Sequence, residues 1–296
     1  MIPGQFAYHR PRTLAEATTL LSEFKSDARV IAGGQSLIPM MKLRLAQPGH
    51  LVDLQTVPEL KLVLVDGDVH GAVRRDTLSI GAMVTQAEVI KNADWAKSLP
   101  ILREAALQIA DPQVRSLGTI GGNAANGDPG NDMPAVLMCL DASYHLLGPA
   151  GGRMVKAREF YFGAYATALA DGEILTAVKI PTPPAGHGWA YEKLKRKIGD
   201  YATAAAAVIM TVKGGKVESC SIALTNLSDR PLLASAAAAA VLGTSLDKAA
   251  LASAVAAARG IMYPANDTRG TLEYRVAVGG TMVERALKSA FARAKG

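Results

Sequence analysis

Two short segments of the chain have the make-up of an anion-binding loop: Ala32-Gly33-Gly34-Gln35-Ser36 and Gly118-Thr119-Ile120-Gly121-Gly122-Asn123. A pyrophosphate is held by backbone N–H groups that converge on it. A Cβ atom would block that approach, so paired glycines at strand-to-helix turns suit the task. Ser36, Thr119 and Asn123 supply side chains able to donate further hydrogen bonds to phosphate oxygens. The first segment also leads into a helical stretch, whose N-terminus adds partial positive charge. Neither segment fits G-x-G-x-x-G or G-x-x-x-x-G-K-S/T, which disfavours an ordinary Rossmann or P-loop site. Each pair alone equally describes a tight turn. Their pairing is more informative than either, but it does not name a ligand.

The elements that must position these loops follow from periodicity and capping. Thr13-Leu14-Ala15-Glu16 fits a capping box, and Leu14, Ala17, Leu20, Leu21 and Phe24 then share one helical face. A β-prone run, Ala28–Ile31, enters Gly33-Gly34 directly; a helix over 37–45 and a strand over 50–54 complete a small α/β unit. Strand character dominates residues 60–85, most clearly at 61–65 and 77–81. Thr85-Gln86-Ala87-Glu88 is a second capping box. Pro100 can open a helix, and Pro112 disfavours helical geometry at Asp111, so that helix should stop there. Residues 135–140 read as helix or strand. A linker composition at 181–186 places a domain boundary near residue 181. Beyond it, residues 203–212 and 216–224 read as a hairpin around Gly214-Gly215, and 232–242, 246–258 and 274–294 as helices.

Composition limits the chemistry. A chain of 296 residues with 49% hydrophobic and 20% charged residues predicts a globular protein of two domains. Its two cysteines fall short of the roughly four thiolates an iron–sulfur cluster takes, so electron handling would require an organic cofactor. Both cysteines read as buried thiols, with a disulfide as the alternative. No Cys/His ligand cluster is visible, and neither a metal site nor a catalytic acid or base is expected. The opening Met1-Ile2-Pro3-Gly4-Gln5 lacks the pattern of a secretion signal. The longest apolar-leaning run, 202–212, is shorter than the roughly 20 residues that span a bilayer, so a soluble protein is expected. A net charge of +6 suits an anionic ligand or acidic partners. The one compact basic run, Lys193-Leu194-Lys195-Arg196-Lys197, has no interleaved aromatics, which argues against nucleic-acid binding.

Longer stretches carry a resemblance. The first loop with Leu37-Ile38-Pro39-Met40-Met41-Lys42, and the second with Ala124-Ala125-Asn126-Gly127-Asp128-Pro129-Gly130-Asn131-Asp132, resemble the two FAD loops of molybdenum-hydroxylase flavoproteins. Residues 191–204, the opening four residues and 270–275 are similar to the carbon monoxide dehydrogenase branch of that family. The likeness covers essentially the whole chain. It implies an α+β fold: a two-lobed FAD-binding domain of the vanillyl-alcohol-oxidase (PCMH) type over residues 1–181, with lobes of about 1–55 and 56–181. A smaller α+β domain over 182–296 follows.

By position, the resemblance gives both glycine loops to the FAD pyrophosphate and Asp132 to the adenosine portion. The same resemblance implies that Ile109 and Leu175 pack beside the isoalloxazine, that Lys193 lies near its N1/O2 edge and that Tyr201 lies close to the flavin. Read without it, Lys193 is a solvated strand edge, Tyr201 a core or interface tyrosine, and Asp132 an N-cap for a helix from Met133. There are departures. Gln35 stands where relatives commonly have histidine, residues 60–78 look longer than in close relatives, and no cysteine-bearing insertion for an extra cluster is present.

The function implied is a FAD-carrying electron relay without a catalytic residue or metal of its own. In the family, CO and water give CO2, two protons and two electrons at a molybdenum–copper centre of a large, molybdopterin-binding subunit. Electrons pass through 2Fe–2S clusters of a small subunit to FAD, then to a quinone or other acceptor. The expected assembly is a dimer of large–medium–small trimers, cytoplasmic and able to associate with the inner face of the cytoplasmic membrane. Two further readings stay open: a medium subunit serving a xanthine, nicotine or aldehyde hydroxylase, and a flavin-free scaffold or binding module on the same fold. A stand-alone FAD oxidase is a weaker one.

Overall fold

The computed structural model describes residues 2–70 and 73–294. Its first lobe strings β1 (Ala7–His9), α1 (Leu14–Phe24), β2 (Ala28–Ile31), α2 (Leu37–Lys42) and β3 (His50–Asp53). The strands pair in parallel, order β1-β3-β2, with both Ala7 and Ala28 opposite His50. Parallel neighbours need a crossover, and α1 and α2 provide it. At α1 the Thr13 hydroxyl accepts the Glu16 amide at 3.2 Å, but the Glu16 carboxylate turns to the Arg12 amide, so half of the expected box forms. The helix buries Ala17 and Leu21 on the expected face. α2 stops at Lys42, three residues early, and Arg44 adopts a left-handed conformation just beyond it.

The second lobe begins with the hairpin of β4 (Val63–His70) and β5 (Val73–Gly81). Residues 71–72, between these two strands in the sequence, lie outside the described residues. Six helices follow: α3 (Gln86–Lys91), α4 (Ala93–Ser98), α5 (Pro100–Ala106), α6 (Pro112–Leu117), α7 (Ile120–Ala125) and α8 (Asp132–Cys139). Then come β6 (Ser143–Gly148), β7 (Gly151–Lys156), the short pair β8 (Tyr161–Gly163) and β9 (Ala166–Thr167), and β10 (Ile174–Pro181). Antiparallel pairing gives the order β4-β5-β10-β6-β7. The capping box at Thr85 is complete. Pro112 corrects an expectation: it opens α6 with Asp111 as N-cap, and the preceding helix has already ended at Ala106. Proline fits the first helical position because its missing N–H has no partner to lose there. All eight residues of α8 are buried, so the helix shows no amphipathic period and could not be told from a strand.

The C-terminal domain contains β11 (Gly188–Leu194), β12 (Ala204–Lys213), β13 (Lys216–Thr225), β14 (Leu232–Leu233), α9 (Ser235–Ala239), α10 (Lys248–Arg259) and α11 (Leu272–Arg293). The hairpin β12–β13 turns on Gly214 and Gly215, both at positive φ (57° and 73°), as a two-residue turn of this hand requires. The helix expected over 232–242 is instead a strand and a short helix, because Leu232 pairs with Leu224 and extends the sheet. Along β12 successive side chains point to opposite faces. Ala205 and Ala207 join the core of the first domain, against α8, while Ala206 and Val208 join a second core under α11. A sheet buried on both sides explains the unbroken apolar run at 204–210.

Candidate functional site

A cleft of about 950 Å³ runs between the two lobes and is completed by the C-terminal domain. The first glycine loop, Ala32 to Ser36, forms one wall. Among the described residues, the backbone N–H groups of Gly33, Gly34, Gln35 and Ser36 donate to no protein acceptor. Gly34 sits at φ +71°, and a Cβ on Gly33 would lie 2.1 Å from the Leu117 carbonyl oxygen. The first glycine is therefore demanded by packing of loop on loop, the second by its conformation. Four adjacent, unspent amides on the wall of a cleft form a nest for an anion.

The second segment works differently from the sequence expectation. Gly121 and Gly122 lie inside the first turn of α7, and every amide of the segment except that of Thr119 is already engaged. Ile120 donates to the Val84 carbonyl and Gly121 to that of Ala82, both at 2.9 Å, while Gly122 donates to the Thr119 hydroxyl at 3.0 Å and Asn123 to the Thr119 carbonyl at 3.0 Å. A Cβ on Gly121 would meet that of Ala82 at 2.4 Å, so this glycine serves close packing. Gly118, Thr119, Gly122 and Asn123 line the cleft; Ile120 and Gly121 are buried behind it. The Asn123 side-chain oxygen accepts the Met133 amide at 3.2 Å and so supports the start of α8. Ile109 lines the cleft, whereas Leu175 is buried in β10, off its lining.

Asp132, the first residue of α8, is not its N-cap; Asn131 holds that position. The Asp132 carboxylate accepts the Lys193 ammonium at 2.9 Å and the Tyr191 hydroxyl, and Lys193 also donates to the Gln108 carbonyl at 3.2 Å. The side chains of Lys193 and Asp132 are 1% and 6% exposed, so Lys193 is no solvated strand edge. Burial pushes the Asp132 pKa up, against the pull of the Lys193 charge. Burial likewise lifts the Tyr191 hydroxyl well above its usual range and, with Lys193 beside it, lowers Lys195. Asp132 and Lys193 mark a single place in the cleft.

Tyr201 closes the cleft from the C-terminal domain. Its ring lies beneath the Arg269 guanidinium at 5.7 Å, and a Cβ on Gly130 would reach within 2.8 Å of it. The neighbouring Asp200 carboxylate accepts Arg196 at 3.0 Å and Arg269 at 3.4 Å. Burial, followed by the Asp128 charge, pushes the Tyr201 hydroxyl up to about 12.

One cleft residue had no sequence signal for the site: Gln86, which reads only as part of a capping box, is 1% exposed, and neither its amide nitrogen nor its oxygen has a partner. The side-chain nitrogen of Asn126, which lies in the stretch resembling the second FAD loop, is also buried and unpaired. Among the described residues no cluster of His, Cys, Asp or Glu could hold a metal ion, and no helix is long and apolar enough to cross a membrane. Both cysteines are free thiols.

A nest of free amides in a cleft between two lobes, with unpaired amides on two of the residues that line it, is a site for an anionic ligand, and the family match makes this a FAD-binding-domain protein. The family described as the FAD binding domain in molybdopterin dehydrogenase matches residues 4–183, and the CO dehydrogenase flavoprotein C-terminal domain matches 189–290. The carbon monoxide dehydrogenase medium chain of Afipia carboxidovorans is 56% identical over all of both chains. The glyceraldehyde dehydrogenase medium chain of Sulfolobus acidocaldarius is 34% identical over 97% of this chain and 99% of its own. The solved structure of reconstituted CO dehydrogenase from Oligotropha carboxidovorans contains a chain that superposes with a TM-score of 0.96 at 56% identity, covering 99% of this chain and 100% of that one. The chain belongs to the family of FAD-carrying medium subunits of molybdenum hydroxylases, in its carbon monoxide dehydrogenase branch.

Proposed function

We propose that this chain relays electrons within an aerobic carbon monoxide dehydrogenase, from the 2Fe–2S clusters of a small subunit to a quinone or other acceptor. CO is then oxidised at a molybdopterin-binding large subunit, and the complex is a cytoplasmic dimer of three-subunit units able to associate with the inner face of the cytoplasmic membrane. The observation that carries the cofactor role is the row of unspent amides from Gly33 to Ser36. When bound, FAD supplies a carrier that accepts electrons singly and releases them in pairs.

The residues of this chain hold and shape the site. The four amides meet the pyrophosphate, and Lys193 with Asp132 presents a fixed charge pair to one end of the cofactor. An ammonium in a water-poor cleft stabilises negative charge that develops beside it. Tyr201 and Ile109 exclude water from the remaining faces. The two cores support a division of the chain near residue 181, and the separate three- and five-stranded sheets support lobes of the first domain that meet near residue 55. The branch reading is supported by 56% identity to a CO dehydrogenase medium chain against 34% to one named for glyceraldehyde.

The test is to purify the native complex and assay FAD released on denaturation, molybdenum, copper and iron, together with CO-dependent dye reduction. All are expected. A colourless complex would sink the cofactor assignment; FAD and iron without CO-dependent reduction would sink carbon monoxide as the reductant.

A further inference from the structure

The Gln86 side chain is a feature of the cleft that the site so far leaves unused. It begins α3, directly after the Thr85 cap, and its own backbone N–H is tied to the Gly118 carbonyl at 2.9 Å. That bond, with the bridge between Thr85 and Thr119, fixes Gln86 against the second loop. The residue is 1% exposed and lines the cleft, yet neither atom of its carboxamide has a partner. Buried amides in folded proteins are nearly always paired, because an unpaired one forfeits the hydrogen bonds that water would give it. An orphaned amide on a cleft wall is therefore a request for a ligand group. Nothing about the packing of α3 requires it, since an apolar side chain of similar length would fill the same space without the penalty.

The two orphaned atoms also say what kind of group is requested. The nitrogen of a carboxamide only donates and the oxygen only accepts. A phosphate, which only accepts, would satisfy the nitrogen and leave the oxygen stranded. A group that both donates and accepts satisfies both: a sugar-alcohol hydroxyl, or a lactam edge with N–H beside C=O. We infer that Gln86 is a cofactor-contacting residue that pairs with such a donor–acceptor group of FAD, away from the pyrophosphate held by the first loop. The inference rests on the FAD reading above and adds a contact to it. In FAD the two sources of that chemistry are the ribityl hydroxyls and the pyrimidine edge of the isoalloxazine.

The test compares the purified wild-type complex with Gln86→Leu and Gln86→Met, each before and after removal of FAD. Loss of the contact should weaken FAD binding about tenfold, the size of one buried hydrogen bond with its desolvation. The FAD-stripped variants should melt at or above the wild-type temperature, because the orphaned amide has gone. A residue with a purely structural role would do the opposite and lower that temperature. Weaker binding with an unchanged flavin spectrum and midpoint potential assigns the ribityl hydroxyls. Weaker binding with both shifted assigns the pyrimidine edge. If both variants hold FAD as tightly as wild type, or their FAD-stripped forms melt lower, the inference falls. A wild-type complex without FAD would overturn the cofactor reading itself, an outcome distinguishable from either.

Discussion

Replacing Lys193 with methionine should cost the protein stability in a way that depends on pH. Asp132 and Lys193 meet at 2.9 Å with side chains 6% and 1% exposed, which takes the pair out of the surface class, where ion pairs contribute about 0–1 kcal/mol. Removing one partner of a buried pair strands the other and costs about 3–5 kcal/mol. For a chain of this size that corresponds to a fall of about 10 °C in melting temperature. The sign of the pH effect follows from Asp132. Burial holds its folded pKa above the ordinary carboxylate value, so the folded state favours the protonated form. Stability contributed by such a group is full below its unfolded pKa of about 3.9 and is lost as pH rises through the folded value. Lys193 restrains that shift. In Lys193→Met the folded pKa moves further up, and the loss extends to higher pH. The melting deficit of the variant against wild type should therefore be small under acid conditions and largest at neutral pH and above. Combining it with Asp132→Asn should recover most of the deficit, because no charge is then stranded. The assay is a thermal melt of the complex across pH, followed by release of FAD fluorescence. A deficit independent of pH, or a double variant no better than the single one, would refute this account of the pair.

Three further outcomes are expected. Gly33→Ala should lower FAD occupancy of the assembled complex at least about tenfold, read as flavin per chain, because the new Cβ would lie 2.1 Å from the Leu117 carbonyl and the two loops must part. Arg269→Ala should raise the FAD dissociation rate about fivefold in a stopped-flow displacement assay, since it removes a cation–π contact of roughly 0.5–1 kcal/mol and one anchor of Asp200 from beside Tyr201. Burial pushes the Cys139 thiol up to about 12, so at pH 8 only about one molecule in 10⁴ carries the thiolate. Iodoacetamide should leave it unlabelled in the native complex and label it on denaturation, as peptide mapping would show.

The elements governed by local chemistry were legible in the sequence. Thr85 and Glu88 cap a helix because their side chains need only each other's backbone, and Gly214-Gly215 turns a hairpin because few other pairs tolerate two positive φ angles. The first glycine loop was legible for the same reason. What depended on distant packing was not. The fully buried helix at Asp132–Cys139 has no polar face to reveal its period, and Leu232–Leu233 is a strand only because β13 lies alongside. Gly121-Gly122 looked like a phosphate loop, but its amides are taken by Ala82 and Thr119, which no spacing rule exposes. Asp132 and Lys193, 61 residues apart, gave no sign of being bonded to each other, and an unpaired Gln86 looks in sequence like any other glutamine.

The sheet that is buried on both faces has a consequence for how the protein is made. One face of β12 and β13 covers α8, which carries Asp132, and the other is covered by α11, which follows all of them in the chain. Lys193 and Tyr201 come from the same sheet and the loop that follows its first strand. Domains tend to fold in the order in which they leave the ribosome. The amide nest of the first lobe can thus be complete on a nascent chain, while the far wall of the cleft is not. Tight capture of the cofactor has to wait until α11 has emerged and packed, and a chain cut short within α11 would carry its phosphate loop without the means to close over what it binds.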